Sequence, residues 1–459
     1  MNSGVAEVSP KYLAEAASND VPVGYKQTEV GVIPEDWLCE EIGSFKPFIT
    51  SGSRGWAAYY SKFGSPFVRI TNTTRKSIYL DLSDTKYVLL PDDSSEGRRT
   101  SLENGDVLIS ITADIGICSY VDDRLEKPAF INQHIALVRF DSLDIDSKFV
   151  AYYLSSENVQ KLFRSGSDQG AKAGMNLEGV RKIHFAVPPK PEQTAIANAL
   201  SDVDALISEL EKLIAKKQAI KTATMQQLLT GHTRLPQFAL REDGSKKGTK
   251  PSELGDIPED WEVGAIGDSC RTYSGGTPST SNKNFYGGGI KWITSSDLNQ
   301  GVIHDVAGRI TDAGLNGSSA KLVEAHTLLI ALYGATAGVC AITRISAAIN
   351  QAVLAIVPAE HNSEYLFYWF TRHKEVIIET YTQGGQPNLS GDIVRSIKLA
   401  FPPVNEQTAI ATILSDMDEE IQALEQRLSK TRQIKQGMMQ ELLTGKTRLI
   451  KPSKEVIHE

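Results

Sequence analysis

The chain has 459 residues, 41% of them hydrophobic and 23% charged, which supports two or three ordinary hydrophobic cores and excludes a disordered protein. Its formal charge of −8 argues against a general basic excess of the kind that grips phosphates. No apolar run approaches the roughly 20 residues needed to cross a bilayer, and the first 20 residues lack the basic-then-apolar pattern of an export signal, so a cytoplasmic location is expected.

In chain order, an extension (1–22) with no assignable role leads into a globular region, 23–187. Its β-type runs FVRIT, VLIS and IALVRF are separated by Gly, Asn, Asp and Ser. Its early segment ITSGSRGWAAYYSKFGSPFVRITNTTRK carries Arg54, Lys62, Arg69, Arg75 and Lys76, and a Gly-rich polar loop follows at 165–177. A helical region, 188–235, starts after a proline pair. Its apolar residues Ile196, Leu200, Val203, Ile207, Leu210 and Ile214 are spaced by alternating steps of four and three, the seam of a coiled coil. A linker is expected at 236–256, then a second globular region, 257–401, with the runs IKWIT, TLLIALYG and AVLAIV. This region opens with SGGTPSTSNKNFYGGGIKWITSSDL, in which small residues let backbone N–H groups approach a phosphate while hydroxyls and lysines read or neutralise it. A second polar loop lies at 382–389. Asn176 and Asn388, at the ends of the two loops, read equally well as caps or as contacts. A second helical region, 402–449, has the seam Ile410, Leu414, Met417, Ile421, Leu424 and Leu428, and the tail 450–459 reads as a disordered end.

The chain is a tandem repeat. Residues 188–235 return without a gap as 402–449 with more than half of the positions identical, including EQTAIA, LSD and LLTG-x-TRL. Upstream, IPEDW and INQ also return in order. The two matched seams are expected to pair antiparallel, as helices of roughly 50–60 Å, in a pseudo-twofold dumbbell with a globular region at each end. Gln193, Thr194, Asp202 and Asp204, with their copies Gln407, Thr408, Asp416 and Asp418, read as repeated outer faces that would meet two identical partners.

Chemistry is hard to find. Cys39, Cys118, Cys270 and Cys340 are scattered, with no CxxC and no histidine at ligand spacing, so buried free thiols are expected rather than a disulfide or zinc site. GKT at 445–447 lacks the first glycine of a phosphate-binding loop and reads as a helix cap. No motif for amino-methyl transfer or dinucleotide binding is present. Asp106, Asp114 and Asp297 have no E-x-K partner pattern, and His134 reads as a satisfied sheet residue. No catalytic activity is expected of the isolated chain.

SGGTPS...YGGGIKWITSSDL, the INQ strand, GGQPNLS, PP-x-x-EQTAIA-x-x-LSD-x-D and MQ-x-LLTG-x-TRL occur in order, most of them twice. Together they resemble the specificity subunit of a type I restriction-modification enzyme, over nearly the whole chain from Gly24 to Leu449. The second copy matches better than the first, where SGSRG replaces SGGTP. The resemblance implies an α+β fold in which each globular region is a target recognition domain reading half of a bipartite double-stranded DNA target. The paired helices would serve as spacer and as docking surface for two modification subunits. It also implies that those subunits carry S-adenosylmethionine and that a motor and nuclease subunit carries ATP and Mg, leaving no cofactor or metal in this chain. By matched position and loop composition, the candidate DNA contacts are Arg54, Tyr60, Arg69, Asn72, Thr73, Arg75 and Lys172 in the first domain. In the second they are Thr277, Ser279, Lys283, Tyr286, Thr294, Ser295, Ser296, Tyr333 and Gln386. A specificity chain for a fused nuclease-methyltransferase and a coiled-coil scaffold without DNA are the alternatives.

Overall fold

The structure, a computed structural model, describes residues 21–52, 54–91, 94–112, 114–167, 175–381 and 388–450. Lys172, Gln386 and nearly all of the two terminal segments lie outside these residues. The chain forms two units: residues 1–211 with 426–459, and residues 212–425.

Unit 1 is built on an antiparallel sheet in the order Phe48–Ser51, Ile135–Arg139, Val107–Ser110, Cys118–Tyr120. The two central strands are nearly continuous apolar runs because both of their faces are covered. Val107, Ile109, Ala136 and Val138 share a core with helix α1 (Ser147–Leu154), while Leu108, Ile135 and Leu137 share one with Val68 and Ile131. Val68 and Ile131 belong to a second sheet, in which Phe130–Ile131 runs parallel to Ser65–Val68, followed by Lys86–Val88 and the edge strand Tyr60–Ser61.

Unit 2 repeats the plan. Its main sheet runs Cys270–Ser274, Val353–Pro358, Leu328–Ala331, Cys340–Thr343, Val302–Ile303, and its second sheet pairs Tyr286–Ile293 parallel with Ala347–Ile349. The expected linker is not free: Thr249–Ser252 pairs with Gly255–Pro258 in a hairpin that repeats Tyr25–Thr28 with Gly31–Pro34. The second copy therefore begins earlier than the IPEDW motif suggested, its strand hidden by the short polar run TKPS.

The proline pairs lead into two long helices, α2 (Lys190–Leu229, 40 residues) and α4 (Val404–Leu442, 39 residues). In unit 1 the first half of α2 runs antiparallel to the second half of α4. Asp204 meets Lys435 there, and Glu211 meets Arg432. In unit 2 the rest of α2 opposes the start of α4, Lys221 meeting Asp418 and Lys217 meeting Glu420. Leu210, Ile214, Ile421 and Leu428 are buried, and Val203, Ile207, Met417 and Leu424 are half-buried. Ile196, Leu200, Ile410 and Leu414 are fully buried, but not in a two-helix seam alone. Ile196 and Leu200 join the core containing α1 and Leu442 and Leu443, and Ile410 and Leu414 join the one containing helix α3 (Ser363–Tyr381) and Leu228 and Leu229.

The expected outer faces also need correction. Gln193 and Gln407 are wholly buried. Gln193 accepts from the Asp146 backbone N–H and donates to the Asp144 and Pro188 carbonyls, and Gln407 accepts from the Asn362 N–H and donates to the Pro402 carbonyl. Thr194 donates to Asp146, and the Asn362 side chain donates to Thr408. Asp204 receives a hydrogen bond from Tyr152 and Asp418 one from Tyr368. These residues recur because each globular region docks on its own helix the same way; Asp202 and Asp416 stay exposed.

Three duplicated motifs meet at the end of each helix pair. In unit 1, Arg448 donates to both oxygens of Glu192 at 2.7 Å and to both oxygens of Asp36 at 2.8 and 2.7 Å, and Trp37 Nε1 donates to Glu192 at 3.1 Å. In unit 2, Arg234 grips Glu406 at 2.6 Å twice and Asp260 at 2.8 and 3.1 Å, with Trp261 Nε1 on Glu406 at 3.1 Å. Gly445 and Gly231 turn the chain here with φ of +68° and +72°, and a Cβ on either would strike Pro34 or Pro258 at about 2.5 Å or less. Hydrogen bonding from Arg448 holds the Asp36 carboxyl below its usual range. Burial pushes the Asp260 carboxyl up, but hydrogen bonds from Arg234 and Lys247 more than offset it and hold it at about 2.

Removing one partner leaves a buried carboxylate without its cation, so Arg448→Ala and Arg234→Ala should each destabilise their unit by about 3–5 kcal/mol, read as a lowered denaturant midpoint. The pH dependence has a fixed sign. Because the Asp260 pKa is depressed, its contribution is present above the unfolded value of roughly 3.9 and is lost as pH falls through the folded value. The stability difference between wild type and Asp260→Asn should therefore be constant from pH 7 to about 5 and shrink toward pH 2, as followed by urea melts.

Candidate nucleic-acid interface

The INQ motif forms the centre of a polar surface in each unit. In unit 2, the Asn350–Gln351 turn follows strand Ala347–Ile349. Asn350 N–H donates to the Ile293 carbonyl at 3.1 Å, and its side-chain oxygen accepts from Ala352 N–H at 3.0 Å. The Gly-rich loop closes on this turn, Gly275 N–H donating to Asn350 O at 3.2 Å and Gly276 N–H to Ile349 O at 3.1 Å. A Cβ on Gly275 would lie 1.8 Å from the Ile349 carbonyl, which is why glycine stands there. The next residue but one, Thr277, donates its hydroxyl hydrogen bond to Gln351.

Other candidates reach the same turn from different elements. Thr294 continues the strand bonded to Asn350, and both its N–H and its hydroxyl donate to Asp297 at 2.8 Å, a local turn that presents Ser295 and Ser296 beside it. Leu332 N–H donates to Ala352 O, carrying the half-exposed Tyr333 alongside, where it bridges to Asn388. Tyr286 is a buttress: its hydroxyl donates to Pro278 O and its ring sits edge-on to Trp292. Ser279 and Lys283 lie further out on the loop, both exposed, with Ser279 bonded to Ser281 at 2.8 Å.

Unit 1 has the same frame with different residues on it. Asn132 N–H donates to Val68 O at 3.0 Å, and Asn132 accepts from His134 N–H at 3.1 Å. Gly52 packs on Ile131 O as Gly275 packs on Ile349 O. Thr112 and Gln133 bond the two ring nitrogens of His134. Arg54 and Tyr60 are exposed, as a contact role requires.

Other first-domain candidates are used internally. Asn72 is only 2% exposed; it accepts from Arg69 N–H and donates to Asp81 O, doing the work that Asp297 does in unit 2. Arg75 is tied to Asp114, Gln160 and the Ile115 carbonyl, so its donors are already spent inside the fold. Arg69 pairs with Asp84 at 3.1 Å, and Thr73 donates to Ile70 O. Asn176 caps the short helix Leu177–Arg181, whereas in unit 2 the cap is Ser390 and Asn388 is left beside Tyr333. Gln133, His134, Thr112, Asn350 and Gln351 were not among the sequence candidates, although the repeat of INQ was the signal that could have found them.

No described helix is long and apolar enough to cross a membrane, and the described residues contain no His, Cys, Asp and Glu cluster able to hold a metal. All four cysteines are free, with burial pushing the Cys118 and Cys340 thiols up at equivalent positions.

Two copies of one frame, each closing a glycine-bearing loop on an Asn-Gln turn but dressing it with different side chains, make a duplicated protein that presents two polar surfaces of unlike chemistry. The family described as "Type I restriction modification DNA specificity domain" matches residues 48–222 and again 258–434. The chain belongs to that family, as a DNA-specificity subunit with two recognition domains. The MjaX specificity subunit of Methanocaldococcus jannaschii is 27% identical over 436 residues, covering 93% of this chain and 97% of that protein. The MjaVIII type I restriction enzyme specificity subunit of the same organism is 25% identical over 447 residues, covering 91% and 94%. Among solved structures, the S subunit of a type I restriction-modification system from M. genitalium superposes with a TM-score of 0.57 at 16% identity, over 88% of this chain and 96% of that one.

Gly275→Ala should force the loop off the Asn-Gln turn without touching unit 1. Hydrogen exchange at residues 275–281 should rise while exchange in the strands of unit 1 stays unchanged.

Proposed function

We propose that this chain is the non-catalytic reader of a type I restriction-modification complex, in which each unit recognises one half of a bipartite duplex target. Helices α2 and α4, about 60 Å long at 1.5 Å per residue, set the spacing between half-sites and carry the surface on which two modification subunits dock. Restriction and motor subunits complete the assembly. S-adenosylmethionine, ATP and Mg belong to those partners in this reading, and the complex works in the cytoplasm.

The observation that carries the proposal is the contrast at matched positions around the Asn-Gln turn. Where unit 2 has Thr277, Ser295 and Ser296, unit 1 has Arg54, Ile70 and Thr71. Hydroxyls and guanidinium groups make different hydrogen bonds with base edges and phosphates, so one frame with two such sets is suited to two unlike half-sites. Partner subunits can contribute much of the phosphate grip that a chain of net charge −8 lacks.

The test is methylation mapping by single-molecule sequencing in a host expressing this chain with its neighbouring modification gene. A bipartite motif is expected; Thr277→Ala with Lys283→Ala should relax or abolish only one half of it, and Arg54→Ala should affect only the other. A methylome unchanged by deletion of the chain would overturn the proposal.

A further inference from the structure

The second sheet of unit 1 ends in a surface that is more exposed and more apolar than the matching one of unit 2. Around its edge strand Tyr60–Ser61, four large apolar side chains face solvent: Phe63 is 69% exposed, Leu89 50%, Tyr60 49% and Tyr59 39%. They form one patch. Tyr60 pairs with Val88, the Leu89 N–H donates to the Tyr59 carbonyl, and Gly64, next to Phe63, is so close to Leu89 that an added Cβ would lie 3.0 Å from its side chain. The same Cβ would lie 2.6 Å from the Val88 carbonyl, and Gly64 has φ of +121°, so this tight bend demands glycine and pushes Phe63 outward.

The patch is firmly mounted. Trp56 is buried beneath it, stacked on Phe67 at 5.2 Å and edge-on to Phe130 at 5.5 Å, and its indole N–H donates to Glu96 at 3.1 Å. Glu96 stays exposed but is tied to this indole. Arg54 and Lys62 flank the aromatics, are exposed, and have no acidic partner among the described residues. The strand Ser65–Val68 runs directly from the patch to the Asn132 turn, a distance of about 10 Å. Aromatic rings between unpaired cations have the chemistry of a surface for stacked bases and phosphates. The matching segment of unit 2 has Phe285 and Tyr286 where unit 1 has Tyr59 and Tyr60, but both are half-buried, the Phe285 ring lying against Gly317 and the Tyr286 hydroxyl donating to the Pro278 carbonyl, and no exposed apolar residue follows them.

We propose that Phe63 is a wedge that unit 1 inserts at one base step of its half-site, with Tyr59 and Tyr60 packed on the adjacent sugars and Arg54 and Lys62 on the flanking phosphates. The proposal rests on the DNA-reading function above and adds to it a specificity-determining residue. Unit 1 then reads in part through the ease with which a step unstacks, which favours a flexible pyrimidine–purine step in that half-site. Unit 2 reads base edges through hydroxyls.

The experiment uses the full chain assembled with its modification subunit and duplexes carrying the mapped motif, with 2-aminopurine placed at successive positions. Wild type should raise the fluorescence at one step of the unit 1 half-site and nowhere in the other half. Phe63→Ala should abolish that signal and weaken binding about tenfold or more, whereas Phe63→Trp should retain both. Unchanged fluorescence and affinity in Phe63→Ala would overturn the wedge, as would loss of assembly with the modification subunit, which would make the patch a protein contact. A wild-type complex with no preference among duplexes would instead sink the DNA-reading function itself.

Discussion

Each unit depends on one arginine that holds two carboxylates at once. Arg448 and Arg234 each join a segment just past a helix end to the start of the other long helix and to the IPEDW turn at the front of a recognition domain. Glu192 and Glu406 are each only 1% exposed, a burial that is tolerable because every oxygen accepts a charge-assisted hydrogen bond from the arginine and the tryptophan N–H donates one more. Hydrophobic contact alone would leave the helix free to slide by a turn; a bidentate fork engaged on both sides has one register. The glycine with positive φ just before it lets the chain turn tightly enough to bring the arginine back.

With the scaffold held this way, the reading surface can vary. The Asn-Gln turn closes on the glycine loop through backbone groups and the Asn side chain, none of which depends on the identity of neighbouring surface residues. Polar groups that support the loop, Asn72 in one unit and Asp297 in the other, accept the same backbone N–H with different side chains. The exposed positions are thus released from structural duty and can differ between the two heads.

The long helices, their caps and their seams were legible because identity and a 3.5-residue period are strong signals. The β-rich character of the globular regions was legible on another ground: runs such as VLIS and IALVRF are short, rich in β-branched residues and bounded by Gly, Asn, Asp and Ser. What the sequence hid was which polar residues face inward. Gln193 and Gln407 look like solvated helix positions until the domain packs over them, and Arg75 looks like a phosphate ligand until Asp114 and Gln160 surround it. Composition carries no record of such tertiary partners. The Asn-Gln turn was visible as a repeated landmark, but its role depends on parallel pairing between strands far apart in the chain, which periodicity does not encode.

The division of the chain also governs how it can be made. Unit 2, residues 212–425, is one continuous stretch inserted between the two parts of unit 1. Emerging from a ribosome, it has all of its contacts in hand before synthesis ends. The first 211 residues do not: Glu192 waits for Arg448, 256 positions later, on the order of tens of seconds at ordinary elongation rates. Through that interval Ile196 and Leu200 lack Leu442 and Leu443 to cover them, and the half of the protein born first is the half that matures last.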